Sequence, residues 1–136
     1  ASSLPAVGAT LYVEQDGSAP YTTIQAAVDA AASGDTIRIG PGRYNDGRVV
    51  TTPGWSEFVR VLVRQFELTL IGSGHGVTIM GPSSPWDLSQ GWNIGIRVGP
   101  HFGNQHVQIS DIGFENMGYA LAGAEAPEPP AQTQEA

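Results

Sequence analysis

The sequence predicts an all-β fold of short strands, for three reasons. The 136 residues include 18 glycines and 10 prolines with no regular period, a turn-residue excess over the roughly 7% and 5% of average chains. Hydrophobic residues make up 40% of the chain, which excludes a wholly disordered one. From Gly34 onward, apolar and polar residues alternate in short runs that stop at Gly or Pro. A sandwich and a solenoid of stacked coils both satisfy this pattern. The solenoid is favoured because the corners are Gly-Pro-Gly and Gly-Ser-Gly rather than two-residue hairpin signals.

Residues 1–10 are small and turn-like, and Leu11-Tyr12-Val13 reads as a first strand stopped by Asp16-Gly17-Ser18. Tyr21 to Ser33 reads as the one helix. Thr22 is its expected N-cap, with Gln25 completing a capping box. Ile24, Val28 and Ala31 share one face, and Gly34 suits the left-handed position after the helix. Strands follow at 36–39, 59–64, 68–70, 77–79, 94–98 and 107–114, while 44–56 and 81–93 read as insertion loops. A solenoid needs a covered end, and the helix is placed to cover the first coil. The chain divides into a segment 1–10, a strand-rich domain 11–121 and a Pro/Glu/Ala-rich tail 122–136.

Thirteen acids against six bases, all Arg, set a net charge of −7. That balance argues against broad nucleic-acid binding, which needs a basic footprint. No apolar run approaches the roughly 18 residues of a membrane helix. With no Cys, disulfides, thiolate chemistry and Cys-based zinc sites are excluded. A start at Ala1 is compatible with a processed secreted chain and with a trimmed one.

The stretch Asp16-Gly17-Ser18 followed by 21-YTTIQAAVDAA-31 resembles the N-terminal cap of pectin methylesterases and related pectate-lyase-like proteins. Gly34-Asp35-Thr36-Ile37-Arg38-Ile39 with Pro41-Gly42-Arg43-Tyr44 is similar to their first coil. The stretches 68–79 and 107–116 are similar to the second and third. The resemblance covers roughly 11–117 and implies a right-handed parallel β-helix of about three coils with an N-terminal capping helix. It also implies a secreted or cell-surface setting. The esterases' Gln-Asp-Thr-Leu and Val-Asp-Phe-Ile-Phe-Gly motifs are missing, so no residue inherits their catalytic roles. The lyases use a Lys or Arg base, often beside acidic calcium ligands, and this chain has no Lys.

Gly74-His75-Gly76 matches a polygalacturonase tripeptide without its partner carboxylates, and glycoside hydrolysis needs two of those. It reads as a turn. His101 and His106 flank a Gly-Asn turn and read as solvated loop histidines rather than metal ligands. No catalytic residue, metal or cofactor is expected. Arg38, Arg60, Arg64 and Arg97 each lie opposite the apolar residues of their strands. On a solenoid, outward positions of successive coils stand about 4.8 Å apart. An Arg ladder there would suit the carboxylates of an acidic polysaccharide, although surface pairing with Glu57, Glu67 or Asp35 is the commoner fate. Trp55, Trp86 and Trp92 fall in the expected loops, where they either stack on sugar rings or cover the core.

These residues suggest an extracellular, carbohydrate-facing module related to pectinases but without their catalytic groups. Two other readings stand beside it: the front part of a polysaccharide lyase or pectinesterase, and a structural subunit forming a homo-oligomer or filament through open coil ends.

Overall fold

A computed structural model describes residues 8–52, 55–85, 92–99 and 105–123. In chain order its elements are β1 (Thr10–Val13), α1 (Ile24–Ala30), β2 (Asp35–Ile39), β3 (Gly42–Tyr44), β4 (Arg48–Thr52), β5 (Trp55–Val63), β6 (Glu67–Ile71), β7 (Thr78–Met80), β8 (Trp92–Val98), β9 (His106–Ser110), β10 (Gly113–Phe114) and β11 (Tyr119–Gly123). The all-β expectation holds, with one short helix. Residues 1–7 and 124–136 lie outside the described residues, as do Trp86 and His101; of the expected tail 122–136 only Ala122 and Gly123 are described, and they belong to β11.

The strands form three sheets: β1-β2-β6-β9, β3-β7-β10 and β4-β5-β8-β11, here called A, B and C. Every pairing is parallel except β4 with β5. From β2 onward the chain visits A, B and C in that order three times, with the β4 hairpin added on the first pass. Parallel pairing in register places like residues over like. Leu11, Ile37, Leu70 and Ile109 form one column of sheet A, and Tyr44, Met80 and Phe114 one of sheet B. These columns meet Val61, Val63 and Ile96 of sheet C in a single core.

The corners explain the Gly and Pro signals. At Gly40-Pro41-Gly42, the Tyr44 hydroxyl donates to Gly40 O at 3.0 Å. Thr78 Oγ1 donates to the same carbonyl at 2.9 Å and accepts from Ser73 N at 2.8 Å. Gly81 has φ +125°, and a Cβ there would stand 2.0 Å from Glu115 O in the next pass. Only glycine fits both that conformation and that approach.

Helix α1 is shorter than the expected 21–33, and its N-cap is Thr23 rather than Thr22, accepting from Ala26 N at 3.2 Å. Ile24, Ala27 and Val28 are buried on the core. Gln25 completes no capping box. Its amide instead reaches β5, where Oε1 accepts from Leu62 N at 2.7 Å and Nε2 donates to Leu62 O at 3.0 Å. The side chain thus imitates a strand peptide beside the part of β5 that lies beyond its pairing with β4, which ends at Arg48↔Val59. After the helix, the buried Asp35 carboxylate accepts from Ala9 N and Ala32 N at 2.9 and 2.8 Å. It holds backbone turns rather than an arginine.

The expected loop 44–56 contains β4, which pairs with β5 from Arg48↔Val59 to Thr52↔Trp55. The expected loop 81–93 ends inside β8. Strand β11 falls partly beyond the expected domain edge at 121.

Candidate functional site

The side of sheet A opposite its core columns is mostly polar, interrupted by Ile71. Its first column is Thr10, Thr36, Thr69 and Gln108, and its second is Tyr12, Arg38, Ile71 and Ser110. Neighbours within a column stand about 4.8 Å apart because the strands pair side by side. The columns arise because Val13, Ile37, Ile39, Leu68 and Leu70 are buried on the inner face, which forces alternate residues outward. Tyr12 is 50% exposed. Arg38 is exposed and has no hydrogen bond or ion pair among the described residues. Glu67 and His106 form a third outward pair at the opposite margin. Four residues along the strand separate that pair from the Arg38 column, about 13 Å at 3.3 Å per residue.

The four arginines do not form a ladder. Arg38 lies in sheet A, between Tyr12 and Ile71, while Arg60 and Arg97 belong to sheet C. Arg64 is exposed in the connection from β5 to β6 and has no partner among the described residues. Arg97 grips Glu57 with two bonds, Nε to Oε1 at 2.9 Å and Nη2 to Oε2 at 2.6 Å. Glu57 is the partner expected from the sequence, but it is only 7% exposed, so the pair is largely buried rather than on the surface.

Arg60 is not outward. It is 2% exposed, between Val59 at 0% and Val61 at 2%, so both faces of β5 are covered here. Its Nε donates to Asn45 Oδ1 at 2.8 Å, its Nη1 bonds Asn93 Oδ1, and its guanidinium lies 4.8 Å from the Phe58 ring centroid. Asn93 Nδ2 in turn donates to Asn116 O at 2.7 Å, which links three successive passes of the chain. Burial lowers the Arg60 pKa to about 10. Trp55 and Trp92 begin β5 and β8 rather than sitting in loops, and their side chains lie outside the described residues, as does all of Trp86.

The sequence reading missed Tyr12 and the threonines. Their signal was present as Thr10-Leu11-Tyr12, Thr36-Ile37-Arg38 and Thr69-Leu70-Ile71, a Thr–aliphatic–variable triplet on three strands. Its meaning depends on register, which places the three threonines in one column. His75 lies in a turn, as expected. Among the described residues no group of three His, Asp or Glu side chains is arranged to hold a metal ion, and no helix is long and apolar enough to cross a membrane.

Comparison with protein-family models, with curated proteins and with solved structures returns no match for this chain.

Proposed function

We propose that this protein is a short right-handed parallel β-helix module that presents the outer face of sheet A to an acidic polysaccharide outside the cell. The observation that carries the reading is Arg38, exposed and unengaged beside the half-exposed ring of Tyr12. A guanidinium offers two parallel donors to a uronate carboxylate. An aromatic face accepts the apolar C–H side of a sugar ring. The threonine column supplies hydroxyls along the direction in which strands stack. The solenoid assignment is supported by three sheets, parallel but for the β4–β5 pair, that are visited in constant order, and by the pectate-lyase-like resemblance of 11–117.

The face is proposed for binding rather than catalysis. Hydrolysis needs a carboxylate pair across the bond, and the described outer columns of sheet A offer only Glu67, about 13 Å along the strands from Arg38. The net charge of −7 repels a polyanion at long range. Recognition therefore falls to short segments held in contact with Arg38.

Titration with oligogalacturonate, alginate oligomers and a neutral glucan tests the reading. Acidic oligomers should bind, Arg38→Gln should weaken them about tenfold, the equivalent of 1.4 kcal/mol, and the glucan should not bind. Equal binding of the glucan would overturn it.

A second reading rests on a different observation. Tyr119 and Leu121 are in register with the buried Ile94 and Ile96, yet they are 50% and 53% exposed. Among the described residues no strand pairs with the outer side of β11, and a strand edge of that kind is a template for another strand. Self-assembly through this end, or continuation of the coils as in a lyase or esterase, would cover it. Sedimentation across micromolar concentrations separates an assembling chain from a monomer.

A further inference from the structure

A pocket of about 110 Å³ opens between α1 and the strands β3 to β5, lined by Thr23, Tyr44, Asp46, Arg48, Arg60 and Met80 among others. We propose that it is a binding site, independent of the sheet A face, for a small hydroxylated carboxylate. Its floor is apolar: Tyr44 is 5% exposed and Met80 1%. Its polar groups are of both signs. Arg48 uses Nη1 to reach Gln25 Oε1 at 3.0 Å, and its other donors have no acceptor among the described residues. The Asp46 carboxylate is exposed and accepts no hydrogen bond there, and no ion pair joins it to Arg48. A guanidinium and a carboxylate that line one pocket without meeting leave space for a ligand that satisfies both.

The chemistry of the two groups selects that ligand. Arg48 presents a fork of donors, the complement of a carboxylate. Asp46 is acceptor-only when ionised, the complement of a hydroxyl donor. The buried Arg60 guanidinium on the wall adds a second positive charge and favours an anion over a neutral polyol. The volume lies well below the roughly 300 Å³ at which pockets for larger ligands begin, so the site takes one small ring or a short acid. The same chemistry comes from two sources, the terminal uronate of a glycan or a free hydroxy acid.

Titration calorimetry with D-galacturonate, L-lactate and D-galactose tests this on the full chain carrying Arg38→Gln, so that sheet A contributes no free arginine, and on the same chain with Arg48→Gln or Asp46→Asn added. At least one of the two acids should bind with one-to-one stoichiometry, and galactose should bind at least tenfold more weakly. Binding of galacturonate alone identifies the glycan end as the source, and binding of lactate identifies the free acid. Arg48→Gln should lose at least tenfold in affinity, and because Arg38 is already replaced that loss belongs to the pocket and not to sheet A. Asp46 is exposed, so its replacement leaves the fold intact and supplies the decisive arm. If Asp46 receives a ligand hydroxyl, Asp46→Asn weakens binding several-fold. If Asp46 merely repels an anion, Asp46→Asn strengthens binding and the proposal fails. It fails equally if neither acid binds, or if galactose binds as well as the acids.

Discussion

Replacing Gln25 with Ala tests how the helix is tied to the sheets. The Gln25 amide satisfies both backbone groups of Leu62, at 2.7 and 3.0 Å, and accepts from Arg48 at 3.0 Å. Truncation leaves a backbone donor and acceptor of β5 unpaired where the strand runs beyond β4. Each unsatisfied buried group costs about 1–3 kcal/mol. Leu62 is only half-buried, so water recovers part of that, and the expected loss is about 2–3 kcal/mol. Gln25→Glu keeps the acceptor for Leu62 N and Arg48 but loses the donor that Nε2 gives to Leu62 O and to Asp29 Oδ1 at 2.8 Å, and sets two carboxylates together, so it too should be less stable than wild type. Urea unfolding at neutral pH reads the three stabilities, and hydrogen exchange at the Leu62 amide reads the local opening. A Gln25→Ala change below about 0.5 kcal/mol, the scale of an ordinary surface substitution, would refute the peptide-mimic argument.

Other outcomes follow from the same structure. Ile24→Ala, at a site 4% exposed, should cost about 2–5 kcal/mol in urea unfolding, and an unchanged midpoint would show that α1 does not close the core. Gly81→Ala combines φ +125° with a Cβ 2.0 Å from Glu115 O, so it should destabilise by about 1–3 kcal/mol, read as a drop in Tm. Burial raises the Tyr44 pKa from 10.0 to about 12. A raised pKa means that the folded state holds the proton more tightly. The stability this contributes is complete below pH 10 and is lost as pH rises towards 12. Phenolate absorbance should therefore show one tyrosine ionising last, a step that Tyr44→Phe removes.

Much of the fold was legible because one face of most strands is buried. Alternation marked β2, β6, β8 and β9 directly, and Gly-Pro-Gly and Gly-Ser-Gly marked corners that the stacked passes require. What escaped depends on neighbours distant in sequence. Strand β4 is bracketed by Asn45-Asp46-Gly47 and Pro53-Gly54 and reads as a loop until β5 pairs with it. Strand β11, Tyr-Ala-Leu-Ala-Gly, has no β-branched residue and draws its order from β8. Arg60 shows the limit of period-two reasoning at the site. Alternation places it opposite Val59 and Val61 but cannot tell whether that second face meets water. In the fold that face meets Asn45, Asn93 and Phe58. Arg38 was named from sequence, whereas its neighbour Tyr12 became visible only through the Tyr12↔Arg38 register.

The most direct test of the central claim is an amide and side-chain chemical-shift map of the isotopically labelled chain during titration with oligogalacturonate. The largest shifts should fall on Tyr12, Thr36, Arg38 and Thr69, in the outward columns of sheet A. Saturable binding whose shifts leave those residues unmoved would contradict it.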